Sequence, residues 1–291
     1  MHATLSALLD HGPVLLDGGC GTELQKRGLE VGGTAEQWNL ERPQDVECVA
    51  RAYVEAGSRV LVTNTFRANR LALRNLDLCA RMPEINVAAV RIARRAAGVD
   101  CCVFGSMGPS GSLVTGASVA WAEIERAFRE QAVVLADAGV DGLVIETMVE
   151  PDELRCAVAA AAATGLPLVA CLVLPRPASA GVADDWESAV VALEAAGVDV
   201  IGTNCGCDIV ESIAVCRLLK SRTRLPLWIK PNAGLPQQVE GRPVYRPHLD
   251  LAPRYVADIC GAGASFFGGC CGTGPEFIRA CAAAHWHPRS A

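Results

Sequence analysis

The sequence has little of several features that mark specialised classes of protein. No apolar run reaches the roughly 18 residues that a membrane-spanning helix needs, which argues against a membrane protein. The N-terminus lacks a basic region and a small-residue cleavage site, so we expect no secretory signal. Positive charge is not in excess either: 26 basic and 32 acidic residues give a net charge of -6, which disfavours nucleic acid or an anionic membrane as the main partner.

Cysteine, in contrast, is abundant, with 14 residues in a chain of 291. Disulfide frameworks are typical of small secreted domains with thin cores. This chain is long, 51% hydrophobic and without a recognisable signal, so we expect reduced thiols in the cytoplasm. Several of them, such as Cys102 and Cys171, lie in apolar runs and are explained as core residues.

Eight short apolar runs predict buried parallel strands, at about 13–18, 59–64, 101–106, 142–146, 167–173, 198–204, 226–231 and 264–269. Amphipathic stripes between them, such as Val46, Val49 and Tyr53, predict helices. Strand and helix therefore alternate through the chain, which indicates a parallel sheet. Eight such units in fewer than 300 residues favour a single (β/α)8 barrel over residues 1–291, with an open doubly wound sheet as the alternative.

The carboxyl ends of the predicted strands are polar. In a barrel of this kind the working residues lie at those ends, around one mouth. Seven of the eight predicted strands end in polar residues, among them Asp17, Glu146 and Lys230. We therefore expect the functional site at this end of the barrel.

Three cysteines belong to this set of strand ends. Cys205 follows the sixth predicted strand, and Cys270 and Cys271 follow the eighth, in the segment "FFGGCCGTGPEF". Since both ends face the same mouth, the three sulfurs can converge, and three thiolates form a set that suits Zn²⁺ with one open position. Taken alone, the residues leave two alternatives open, namely unpaired thiols and a disulfide between the adjacent cysteines.

Seven motifs connect this pattern to a known family. They are "DGGCGTELQKRG", "VTNTFRAN", "GSMGPSG", "ETM", "GTNCG", "KPNAGLP" and "FGGCCGTGPEFI", in that order between about Val14 and Ile278. Together they resemble the homocysteine S-methyltransferase family, which includes the homocysteine-binding module of cobalamin-dependent methionine synthase and betaine–homocysteine methyltransferase. The resemblance implies a (β/α)8 barrel, in agreement with the strand pattern.

The resemblance also implies the roles of the site residues. Cys205, Cys270 and Cys271 correspond to the zinc ligands, and the thiol of the substrate takes the fourth position. Cys207 lies close to that pattern, but the family motif places its ligand directly after the asparagine. Cys20 is either a further thiol near the metal or a packing residue.

The amino-acid part of the substrate needs contacts of its own. The resemblance implies that Asp17 and Glu146 bind the amino group of homocysteine. The N–H groups of Gly18 and Gly19 are candidates for its carboxylate. Without the family, an Asx turn at Asp17 and a solvated or capping carboxylate at Glu146 are the simpler interpretations.

The expected function is zinc-dependent transfer of a methyl group to the thiol of homocysteine, giving methionine. The donor is a sulfonium, a betaine-like amine or a methyl corrinoid brought by a separate protein. Aromatic residues make up only 5% of the chain, so the sequence locates no aromatic cage for a cationic donor. Two alternatives stay open: a methyltransferase or demethylase acting on another thiol, a selenol or a corrinoid carrier, and a zinc or thiol redox sensor without turnover.

Overall fold

The computed structural model describes residues 2–111, 119–173, 182–239, 242–245 and 249–285. Within them, eight parallel strands form one sheet: β1 (Val14–Leu15), β2 (Val60–Val62), β3 (Cys102–Met107), β4 (Gly142–Met148), β5 (Leu168–Leu172), β6 (Val200–Asp208), β7 (Leu227–Asn232) and, after an antiparallel hairpin of β8 (Gln237–Val239) and β9 (Arg242–Val244), β10 (Phe266–Phe267). Each of the eight predicted strands is present in the sheet.

The sheet curves into a nearly closed barrel. The strand order is β1-β10-β7-β6-β5-β4-β3-β2, and a parallel bridge between Leu16 and Val60 brings the two outer strands together. The prediction of a (β/α)8 barrel is therefore confirmed. The first and last barrel strands are shorter than predicted, at two residues each.

Helices surround the barrel: α1 (Ala3–Leu9), α2 (Cys20–Lys26), α3 (Trp38–Glu41), α4 (Pro43–Glu55), α5 (Met82–Ala97), α6 (Trp121–Asp137), α7 (Pro151–Ala162), α8 (Val182–Ala195), α9 (Ile209–Arg222), α10 (Ala252–Gly261) and α11 (Pro275–His285). Helix α4 shows why they form where they do. It begins at Pro43, where the missing N–H costs nothing, and it buries the predicted stripe of Val46, Val49 and Tyr53 against the sheet.

Two hydrophobic layers result. The outer layer lies between the strands and the helices. The inner layer fills the barrel with alternate strand residues, including Phe104, Trp228 and Phe266. The ring centroid of Trp228 lies 5.8 Å from that of Phe104 and 5.4 Å from that of Phe266. The barrel is therefore a packed core that supports the mouth from below. None of the helices in the described part of the chain is long and apolar enough to cross a membrane.

Candidate active site

The three predicted cysteines meet at the mouth of the barrel. The sulfurs of Cys205, Cys270 and Cys271 all lie within 4.8 Å of one another. Each of the three side chains is partly exposed, so the cluster is open to a ligand. All 14 cysteines of the chain are free thiols in the structure.

An irregularity in β6 directs Cys205 into the mouth. Its φ is +59°, in the left-handed region, and the pairing of β6 with β7 shifts register between Asn204 and Asp208. A bulge of this kind changes the direction in which a side chain points. Cys207, two residues further along the same strand, is buried, and burial raises the pKa of its thiol to about 12.

Close packing of loops holds the cysteine pair in place. The N–H of Cys270 donates to the carbonyl of Pro231 at 2.7 Å, at the end of β7. A Cβ added to Gly19 would lie 2.5 Å from the carbonyl oxygen of Cys270, and one added to Gly272 would lie 2.2 Å from Cγ of Tyr245. The absence of a side chain at Gly19 and Gly272 therefore permits the close approach of neighbouring segments, and Gly272 also has a φ of +79°.

Asparagine side chains connect the sulfurs to the strands. Asn232, at the end of β7, donates from Nδ2 to Sγ of Cys205 at 3.5 Å and accepts from the N–H of Cys271 at 3.1 Å. Among the thiols themselves, hydrogen bonds from Cys270 and Cys271 hold the pKa of Cys205 far below its ordinary value, whereas the pKa of Cys270 is raised.

Asp17 lies at the end of β1, beside the cluster, and is buried against a lysine. One oxygen of its carboxylate accepts a hydrogen bond from the N–H of Val62 at 2.7 Å, and the other pairs with Nζ of Lys230. Burial alone would lower the pKa of Lys230, but the carboxylates of Asp17 and Glu146 raise it, so that the lysine is charged at neutral pH.

Glu146 is the second buried carboxylate of the mouth. Its Oε1 accepts from the hydroxyl of Ser106 at 2.5 Å, and its Oε2 accepts from Nδ2 of Asn204 at 3.1 Å. The next residue, Thr147, has a φ of +59°, and the pairing of β4 shifts register there. Burial raises the pKa of Glu146, an effect that Lys230 partly offsets.

The glycines predicted to bind a carboxylate lie against the cysteine loop. The N–H of Gly19 donates to the carbonyl of Thr273 at 3.0 Å, and a Cβ on Gly18 would lie 2.1 Å from that same oxygen. Their part in substrate binding stays a prediction. Cys20 lines a small internal cavity with Asp17, and it does not join the three-cysteine group in the part of the chain that the structure describes.

Sequence reasoning gave no role to two residues that join these groups. Asn204 bonds Glu146 and also lies 4.0 Å from the sulfur of Cys270, so it links the carboxylate to the thiols. Lys230 lies within hydrogen-bond reach of Asp17. The available signal for Lys230 was a single charged residue near the end of the apolar run "LPLWIKPN".

Comparison with known proteins finds relatives that match most of the chain. The homocysteine S-methyltransferase family matches residues 14–285. Methionine synthase of Mycobacterium tuberculosis is 34% identical over 290 residues, which cover 92% of this chain and 24% of that protein, so the chain spans about a quarter of its length. Betaine–homocysteine S-methyltransferase 1 of the mouse is 29% identical over 94% of this chain and 72% of its own.

A solved structure extends the comparison to the fold. The homocysteine methyltransferase MmuM from Escherichia coli, in its metallated form, superposes with a TM-score of 0.80 at 25% identity, over 96% of this chain and 99% of that one. The matches of sequence and fold cover nearly the whole chain. The chain belongs to the homocysteine S-methyltransferase family.

Proposed function

We propose that this protein is a zinc-dependent methyltransferase that moves a methyl group to the thiol of homocysteine to give methionine. The observation that carries the proposal is the convergence of three thiols at the barrel mouth, next to two buried carboxylates. Family membership supports the class of reaction. Residues 1–291 act as one catalytic domain.

The three cysteine sulfurs form a ligand set that fits zinc. Sulfurs bound to one zinc ion at about 2.3 Å lie roughly 3.8 Å apart in a tetrahedron. The sulfurs of Cys205, Cys270 and Cys271 lie within 4.8 Å of one another, so small side-chain movements bring them to one ion. Thiolates are also the soft ligands that favour zinc over magnesium or calcium. A metallated form of the E. coli relative supports the presence of a metal in this protein.

Other residues of the chain orient the metal ligands and bind the substrate. When bound, zinc lowers the pKa of the substrate thiol and holds it as a thiolate nucleophile. Asn232 orients two of the ligand cysteines through its amide. Glu146 receives the amino group of the substrate, and the hydroxyl of Ser106 holds that carboxylate in place. The packed barrel below the mouth keeps water away from the inner side of the site.

The methyl donor is proposed to be a sulfonium, a betaine-like amine or a methyl corrinoid on a separate protein. Residues 174–181, in the segment that follows β5, lie outside the described residues. The methyl donor is therefore to be identified by experiment.

The test uses anaerobically purified, zinc-loaded protein with L-homocysteine and a panel of donors, namely S-methylmethionine, S-adenosylmethionine, betaine and methylcobalamin. We expect one of them to yield methionine, measured by mass spectrometry, and we expect Cys271→Ala to lose both zinc and activity. Stoichiometric zinc without methyl transfer from any donor would contradict the proposal and favour a thiol-based sensor.

A further inference from the structure

Thr147, the residue after Glu146 at the end of β4, has a backbone conformation that threonine rarely adopts. Its φ is +59°, in the left-handed region, where the branched Cβ is crowded by the backbone. Of the non-glycine residues in the described ranges, only Asp77, Thr147 and Cys205 have a positive φ, and Thr147 alone among them is branched at Cβ. Such conformations persist only where neighbouring contacts hold them, and they are concentrated at active sites.

The strained residue belongs to a bulge in β4. Ile145 and Met148 both pack in the outer hydrophobic layer, although residues three positions apart point to opposite faces of a regular strand. The pairing of β4 with β5 shifts register between these two residues. The extra residue is accommodated at Glu146 and Thr147, and the bulge brings both of their side chains to Asn204.

The amide of Asn204 holds this bulge from β6, two strands away in the sheet. Its Oδ1 accepts from the N–H of Thr147 at 2.7 Å. Its Nδ2 donates to Oγ1 of Thr147 at 2.6 Å and to Oε2 of Glu146 at 3.1 Å. A backbone N–H can only donate, which fixes the orientation of the amide. Asn204 is only 1% exposed, so its N–H groups depend on these protein partners.

We propose that Thr147 is a positioning residue: its left-handed backbone and its hydroxyl, both bonded to Asn204, hold the carboxylate of Glu146 where it receives the ammonium group of the acceptor. The inference rests on the proposed function, which gives that role to Glu146. Without Oγ1 of Thr147, an N–H of the buried amide loses its acceptor, and the amide turns toward another partner. Glu146 then loses the Asn204 donor and keeps the hydroxyl of Ser106.

The test compares L-homocysteine with 4-mercaptobutanoate, which has the same thiol and carboxylate but lacks the amino group. Dissociation constants are measured by isothermal titration calorimetry on zinc-loaded protein without oxygen. The contact of the thiol with the metal is common to both ligands, so the ratio of the two constants isolates the contribution of the ammonium. We expect wild-type protein to bind homocysteine at least about tenfold more tightly, as for a hydrogen bond between charged groups.

Variants of the threonine give the second arm. Thr147→Val keeps the branched side chain and removes the hydroxyl, and we expect it to lower the preference for homocysteine about 3- to 10-fold, the effect of one hydrogen bond. Its affinity for 4-mercaptobutanoate is expected to be unchanged. Thr147→Ser keeps the hydroxyl and is expected to keep the wild-type ratio. If Thr147→Val does not fold, Thr147→Gly also lacks the hydroxyl, and glycine adopts a φ of +59° without crowding.

The outcomes separate this inference from the proposed function. A wild-type ratio in folded Thr147→Val or Thr147→Gly overturns the positioning role and leaves the proposed function standing. An equal loss of affinity for both thiols also overturns it, because a general loss of structure affects the two ligands alike. Wild-type protein that binds both thiols equally, or neither, overturns the proposed function together with the inference.

Discussion

Replacement of Cys205 by alanine tests the metal centre most directly, because the chain provides a matched control on the same strand. Cys205 and Cys207 both lie in β6, two residues apart, and only the first has its sulfur in the three-cysteine group. Alanine keeps the Cβ of cysteine, so Cys205→Ala adds no new strain at the left-handed φ of +59°. The substitution removes the sulfur and leaves the backbone unchanged.

The expected size of the effect follows from the number of ligands. Loss of a residue that only orients a metal ligand costs about 10- to 100-fold in metal affinity. Cys205 is one of three proposed ligands, so its loss is expected to weaken zinc binding by more than about 100-fold. Cys207→Ala leaves the cluster intact and costs only about 1 kcal/mol of stability, similar to the loss of one buried methylene group.

The assay measures zinc per chain by elemental analysis after dialysis against a chelator, followed by competition with a chromophoric chelator. We expect wild-type protein and Cys207→Ala to keep one zinc ion per chain, and Cys205→Ala to lose it. Full occupancy and unchanged affinity in Cys205→Ala would refute the ligand assignment. Equal loss of zinc in the two variants would show that the geometry of β6, and not the Cys205 sulfur, controls metal binding.

Three further predictions concern residues around the cluster and in the barrel. Asn232→Ala removes the amide that orients two of the proposed ligands, and chelator competition is expected to show a 10- to 100-fold loss of zinc affinity, with unchanged affinity as the contrary result. The pKa of Glu146 is raised in the folded protein, so its contribution to stability is present below its ordinary pKa of 4.5 and is lost as the pH rises through the raised value. Glu146→Gln is therefore expected to raise the melting temperature at pH 7, with a difference that shrinks toward pH 4.5, and a constant difference across this range would contradict the burial argument. In Gly202→Ala the new Cβ would lie 2.0 Å from the carbonyl oxygen of Trp228, so urea unfolding is expected to show a loss of about 1–3 kcal/mol, and wild-type stability would disprove the close approach of the two strands.

The architecture of this protein can be predicted from its amino-acid sequence. Strands buried on both faces of a parallel sheet are continuous apolar runs, so all eight were visible, and their count and the helices between them predicted the barrel. The sequence also determined which residues end up at the mouth, because the carboxyl ends of parallel strands share one edge. The convergence of Cys205 with Cys270 and Cys271 followed from this rule together with the family motifs.

The pairing of these residues, in contrast, depends on the packing of the folded chain. Asp17 and Lys230 are 213 positions apart, and β10 lies between their strands, so no sequence pattern connects them. The direction of Cys205 likewise depends on a bulge in β6 that local residue preferences do not reveal. Strand order, register and side-chain conformation set these contacts, and they arise from packing of the whole barrel, whereas the polarity of a strand end reports only that the residue faces the mouth.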